Sequence, residues 1–133
     1  MLHAAILGAA LLVTVSPPPQ LSISGESFVL VQSEMLRSAV AKGVAIISVD
    51  CVPLFECRPE YRHDGTYHTA IHRVSNVEGT YKIGSDSLCV TSSAGSYCVA
   101  LYQSPGGQFA TLGLGSRGWA APTRVRLEAL PSR

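Results

Sequence analysis

Charge is scarce in this chain: 14% of its 133 residues are Asp, Glu, Lys or Arg, and ten basic against nine acidic side chains leave a formal charge of +1. A balance so close to neutral excludes the basic footprint of a nucleic-acid binder or of a protein drawn to an anionic membrane surface. With hydrophobic residues at 47%, the low charge belongs to a globular chain and not to a disordered one. Long apolar runs are also missing. The stretch AAILGAALLVTV at residues 4–15 has twelve residues, short of the roughly 20 that span a bilayer as a helix. No Lys or Arg precedes it, no C-x-x-C occurs, and no serine sits in a G-x-S-x-G elbow. The last two absences remove the thioredoxin-like redox motif and the hydrolase nucleophile turn.

What is present points outside the cytoplasm. Twelve apolar residues match the core of a signal peptide, and three prolines at 17–19 form an extended linker that resists regular pairing. Residues 1–24 therefore read as a signal peptide or apolar export segment with its Pro-rich linker, and residues 25–133 as one disulfide-stabilised β-domain, periplasmic or secreted. No stable membrane span is expected in the mature chain. The competing reading of 4–15 is an ordinary buried helix or strand. Four cysteines in a small exported chain read as two disulfides. Of the three possible connectivities, proximity favours Cys51–Cys57 and Cys89–Cys98. Spacings of C-x5-C and C-x8-C do not make a zinc knuckle.

The organising stretch is SLCVTSSAGSYCVALY at 87–102. Pairing Thr91 with Ser96 places Cys89 opposite Cys98 and sets Leu88 and Val90 against Val99 and Tyr97 on the other face. It also leaves Gly95 where a hairpin loop needs a left-handed residue. Upstream, Ser33 is expected to cap a short helix over 34–42 that Gly43 stops, with Leu36 and Val40 on one face. The VAIISV run at 44–49 suits a central strand or one covered by that helix. The segment 51–62 reads as a loop pinned at its neck. Asp64-Gly65 and 76–79 read as turns flanking TYHTAIHR, and Ser104-Pro105-Gly106-Gly107 as another. In TRVRLEAL, Val125, Leu127 and Ala129 should face inward. The fold class is mainly β: an antiparallel meander of about six strands in a partial barrel or small sandwich, with one short N-terminal helix.

Taken in order, the helix S-E-M-L-R-S-A-V-A-K-G at 33–43, D-G-T-Y at 64–67, E-G-T-Y-K-I at 78–83, S-L-C-V at 87–90 and Y-C-V-A-L-Y at 97–102 resemble a kind of small exported bacterial β-domain. That kind is frequent in alphaproteobacteria and has a DG-x-Y, G-x-W/Y, LC…C pattern. Tyr81 stands where a Trp is common there, and Cys51 and Cys57 are additional. The resemblance implies a fold and brings no catalytic residue with it.

Candidate chemistry is thin. His63, His68 and His72 suggest a metal, but residues four apart on a strand lie about 13 Å apart at roughly 3.3 Å per residue, too far to share one ion. Gly113-Leu114-Gly115-Ser116-Arg117-Gly118 spells G-x-G-x-x-G, yet no helix follows it to hold a pyrophosphate. It reads as a loop whose Trp119 is either a core plug or an aromatic offered to a partner. The reading is a non-catalytic binding or structural domain for a protein or small ligand of the cell envelope, without cofactor. Binding candidates lie in the loops at 51–64 and 113–122, with Tyr61, His63, Arg117 and Trp119 foremost. The alternative is a metal-dependent or thiol-redox enzyme using His63, His68 and His72 or Cys51 and Cys57.

Overall fold

The hairpin at Cys89 and Cys98 forms in the expected register. The computed structural model, which describes residues 16–52, 55–71, 75–115 and 118–131, pairs β8 (Ser87–Ser92) with β9 (Gly95–Gln103) through Leu88↔Val99, Cys89↔Cys98, Val90↔Tyr97 and Thr91↔Ser96. Cys89 and Cys98 are disulfide-bonded. Pairing continues to Ser92↔Gly95, so the connection is tighter than a four-residue loop, and Gly95 has φ +120°. The apolar run at 4–15, His72 and Arg117 lie outside the described residues, as does the side chain of Cys51.

The order of the remaining elements is β1 (Gln20–Ile23), β2 (Glu26–Leu30), α1 (Ser33–Val40), β3 (Val44–Val52), β4 (Phe55–Cys57), β5 (Glu60–Tyr61), β6 (Thr66–Ile71) and β7 (Ser75–Gly84). After the hairpin come β10 (Phe109–Gly115), β11 (Gly118–Trp119) and β12 (Thr123–Ala129). β3, β5, β6, β7, β8, β9, β10 and β12 pair antiparallel in that order, and β12 returns to β3 through Arg126↔Ile47, Leu127↔Ile46, Glu128↔Ala45 and Ala129↔Val44. The result is a closed, barrel-like ring in which nearly every neighbour in space is the neighbour in sequence. β4 hangs on β3, β11 on β10, and the β1–β2 hairpin joins the edge of β9 beyond the end of β8.

Alternation along the strands sorts side chains into two clusters. Inside the ring lie Val44, Ile46, Tyr61, Tyr67, Leu88, Val90 and Leu101, with Tyr81, Ile83, Tyr97, Phe109, Val125 and Leu127 packed against them. α1 drops Leu36 and Val40 into the same cluster and so plugs it; each such burial contributes about 1.5–3 kcal/mol. Outside, Phe28 packs with Ala100, Tyr102, Ala110 and Leu112, bordered by Leu21, Ile23, Leu30 and Trp119. The β1–β2 hairpin therefore covers the outer face of β9 and β10. β1 lies before residue 25, the expected start of the domain, and pairs along its whole length with β2. The cystine shares the outward parity of Ala100 and Tyr102 and staples the outer side of the ring.

Several local expectations are corrected. Ser33 is the first helical residue and not the cap; Gln32 occupies the N-cap without a side-chain bond. Asp86 does the capping from across the chain: its Oδ1 accepts the Ser33 N–H at 2.6 Å and the Ser33 hydroxyl at 2.8 Å, while the Asp86 N–H donates to Ser33 Oγ at 3.0 Å. The segment 51–62 is no loop, because β3 runs into it and β4 and β5 pair back on β3. Residues 76–79 do not turn. They lie within β7, where Asn76↔Ala70 and Gly79↔Tyr67 continue the ladder. Gly79 is there for space: a Cβ on it would overlap the Thr91 carbonyl oxygen and come within 2.8 Å of Ser92 Cβ. Of the three inward residues expected in β12, Val125 and Leu127 join the core while Ala129 is exposed.

Two measurements bear on this architecture. Gly79→Ala should lower unfolding free energy by roughly 1–3 kcal/mol, as overpacking does, in urea melts followed by circular dichroism; an unchanged midpoint would mean that β7 and β8 are not this close. Replacing Cys89 and Cys98 together by Ala should cost about 3 kcal/mol by the chain-entropy argument for a short loop. A melting temperature equal to the parent's would count against the bridge.

Candidate functional site

Two cavities lie side by side at the C-terminal end of α1. The larger, about 690 Å³, is lined by Ala41, Lys42, Gly43, Glu60, Arg62, His63, Asp64, Leu130 and Pro131. The second, about 450 Å³, lies between α1 and β7 and is lined by Arg37, Val40, Ala41, His63, Tyr81, Lys82 and Ile83. Ala41 and His63 border both, so the two adjoin around the helix end and together make up a trough. Both volumes fall within the range of small-molecule sites, roughly 300–1,000 Å³.

The walls are held by short-range bonds. After Val40 the chain turns sharply: the Gly43 N–H donates to the Val40 carbonyl at 2.9 Å, and Gly43 has φ +88° with Leu130 packed over it. A side chain at this φ would be strained. The 62–65 turn that presents His63 is tied at several points. The Arg62 carbonyl accepts the Gly65 N–H at 3.0 Å and the Tyr81 hydroxyl at 2.6 Å, and the Gly65 carbonyl accepts the Tyr81 N–H at 2.9 Å. Asp64 Oδ1 accepts the Thr66 hydroxyl at 2.6 Å and the Thr66 N–H at 3.0 Å. Those two bonds hold the Asp64 carboxyl below the usual carboxylate range, so it is ionised and already engaged. His63 is thus an exposed side chain on a rigid turn.

Charge is unevenly paired around the trough. Arg62 reaches Glu60 at 3.5 Å and Glu78 at 3.8 Å. On the outer face of β5, β6 and β7 the row Glu60↔His68↔Glu78 sets His68 between two carboxylates, Nδ1 at 3.9 Å from Glu60 and Nε2 at 3.4 Å from Glu78. The two acids approach opposite ring nitrogens. Among the described residues no three His, Cys, Asp or Glu side chains gather as a metal-ligand set. The chain contains only two lysines, Lys42 and Lys82, and both border the trough.

Beneath the trough the ring interior is rich in tyrosine. Tyr61 stacks edge-on against Tyr67 and Tyr81, each centroid at 5.3 Å, and Tyr67 against Tyr97 at 6.3 Å. The Tyr67 and Tyr97 hydroxyls are hydrogen-bonded to each other. Among the described residues no buried side-chain N or O lacks a partner. Desolvation raises the phenol pKa of Tyr61, Tyr67, Tyr81 and Tyr97, and pushes that of Tyr102, whose hydroxyl donates to the Pro18 carbonyl at 2.7 Å, up to about 12.

Of the sequence candidates among the described residues, the structure brings His63 alone into the trough. Tyr61 is 1% exposed and belongs to the core. Trp119 packs against the outer cluster, where β11 folds back on β10 through Leu114↔Trp119 and Gly115↔Gly118, so the 113–122 loop is largely a hairpin. Cys57 is disulfide-bonded, and no described cysteine is free. Sequence reasoning missed Arg37, Lys42, Arg62 and Lys82 as a group. They lie far apart in the chain and follow no motif; only ring closure and the helix position assemble them. No protein family, curated protein or solved structure matches the chain.

All five tyrosines have raised phenol pKa values, which makes alkaline behaviour predictable. An unfolded chain releases these protons at about pH 10, whereas the fold retains them. The stability is therefore intact below that pH and declines as pH rises above it. Tyrosinate absorbance should appear together with loss of the β-sheet circular dichroism signal. Titration of most of the tyrosines while the fold persists at about pH 10 would show that they are not held in the interior.

Proposed function

We propose that this chain is a non-catalytic, exported binding domain, periplasmic or secreted, that holds a small ligand of the cell envelope in the trough at the end of α1. The carrying observation is the trough itself: two adjoining, solvent-open cavities with mixed polar and apolar walls, set on a hydrogen-bonded turn and a closed ring. Disulfide bonds at Cys89–Cys98 and at Cys57 fit an oxidising compartment, and no helix among the described residues is long and apolar enough to cross a membrane. A protein partner at the 113–122 segment has less support, because Trp119 is already packed against the domain's own core.

His63 borders both lobes, which supplies the test. Protein isolated without denaturant from the cell that makes it should carry a bound small molecule in native mass spectrometry. The His63→Trp variant, which fills the junction of the lobes, should lose that mass while keeping the parent's melting temperature. Bare protein in both preparations would defeat the ligand-site reading.

A further inference from the structure

Resting on the trough as a ligand site, the distribution of its charge and apolar surface indicates what the ligand is. The 450 Å³ lobe is bordered by Arg37, His63 and Lys82 and has no carboxylate in its lining. Its floor is Val40, buried in the core, and Ile83 and Tyr81, both packed against that core. Neither Arg37 nor Lys82 has an ion-pair partner among the described residues, and the same holds for Lys42 at the rim of the larger lobe. The two acids, Asp64 and Glu60, line the larger lobe and form no ion pair with these three cations among the described residues. Asp64 is occupied by Thr66 and Glu60 by Arg62 and His68.

Exposed cations are ordinarily solvated and require no partner. Here, in a chain with only two lysines, two unpaired cations, Arg37 and Lys82, border the lobe whose floor is apolar, and Lys42 borders the adjoining one. A bare inorganic anion would satisfy the cations and leave the floor wet, while a neutral apolar molecule would cover the floor and shield the cations from water. We infer that the trough takes a single-chain amphipathic anion, its carboxylate between Arg37 and Lys82 and its apolar body lying over Val40, Ala41 and Ile83 toward the larger lobe. Electrostatic complementarity fixes which end goes where, and burial of the tail supplies most of the affinity.

Isothermal titration of the full chain with octanoate, octanol and acetate tests this. Octanoate should bind about tenfold tighter than octanol, a preference worth about 1.4 kcal/mol, and acetate should give no measurable heat. The double variant Arg37→Gln, Lys82→Gln should bring octanoate down to the octanol affinity and leave octanol itself unchanged; both positions are exposed, so the fold is expected to tolerate the changes. Octanol binding as tightly as octanoate, a preference that survives in the double variant, or no binding of either eight-carbon probe would each overturn the inference. The ligand-site reading is judged separately, by whether the native protein carries a bound molecule that His63→Trp removes.

Discussion

The pairing of β12 with β3 is the constraint on which the rest of the structure depends. Joining Ala129↔Val44 through Arg126↔Ile47 turns a meander into a ring and removes the two long sheet edges that β12 and β3 would otherwise expose. Once the ring is closed, every strand has an inside, and the inward parity must be filled. Valines, leucines and four tyrosines fill most of it, and Leu36 and Val40 of α1 supply the remainder. Because the helix is anchored by those two side chains and by the Ser33–Asp86 clasp, its position follows from the ring and in turn shapes the trough beside it.

The tyrosines make the interior polar at its tips without making it reactive. Each ring buries apolar area, and the hydroxyls of Tyr67 and Tyr97 satisfy one another while that of Tyr81 reaches the Arg62 carbonyl. That last bond links core to site: it ties the turn bearing His63 to β7, so the exposed imidazole sits on a part of the chain that the core holds still. The disulfide at Cys89 and Cys98 lies on the outer side of the ring, where Cys89 pairs directly opposite Lys82 at the border of the trough.

Ion pairs on the outer face have a lesser part. Arg58 with Glu128 and Arg124 with Glu26 bridge segments distant in sequence, and both acids are held below the ordinary carboxylate range by their arginines. They are exposed to water, where such pairs contribute little. Their value is in orientation: Arg124 lies 5.4 Å over the Phe28 ring and helps seat the β1–β2 hairpin against the outer cluster.

Where local chemistry was decisive, it could be read along the chain. The Cys89–Cys98 register, the Asp64-Gly65 turn, the Gly43 stop and the Leu36/Val40 face all follow from spacing and residue type, because each involves neighbours within a turn or a hairpin. Elsewhere the same signals misled. Gly79 resembled a turn glycine and is in fact a point of close approach between strands. The 113–118 motif looked like a glycine-rich loop and is mostly a hairpin, and Ser33 looked like a cap when the capping carboxylate lies 53 residues away. The sequence alone determined that the chain forms an antiparallel β-domain with one short helix and a stapled hairpin. Only the tertiary structure decided that the sheet closes, and that Arg37, Lys42, Arg62, His63 and Lys82 share one trough. Those residues come from α1 and its end, the 62–65 turn and β7, segments that only the packing of the helix against the sheet brings together.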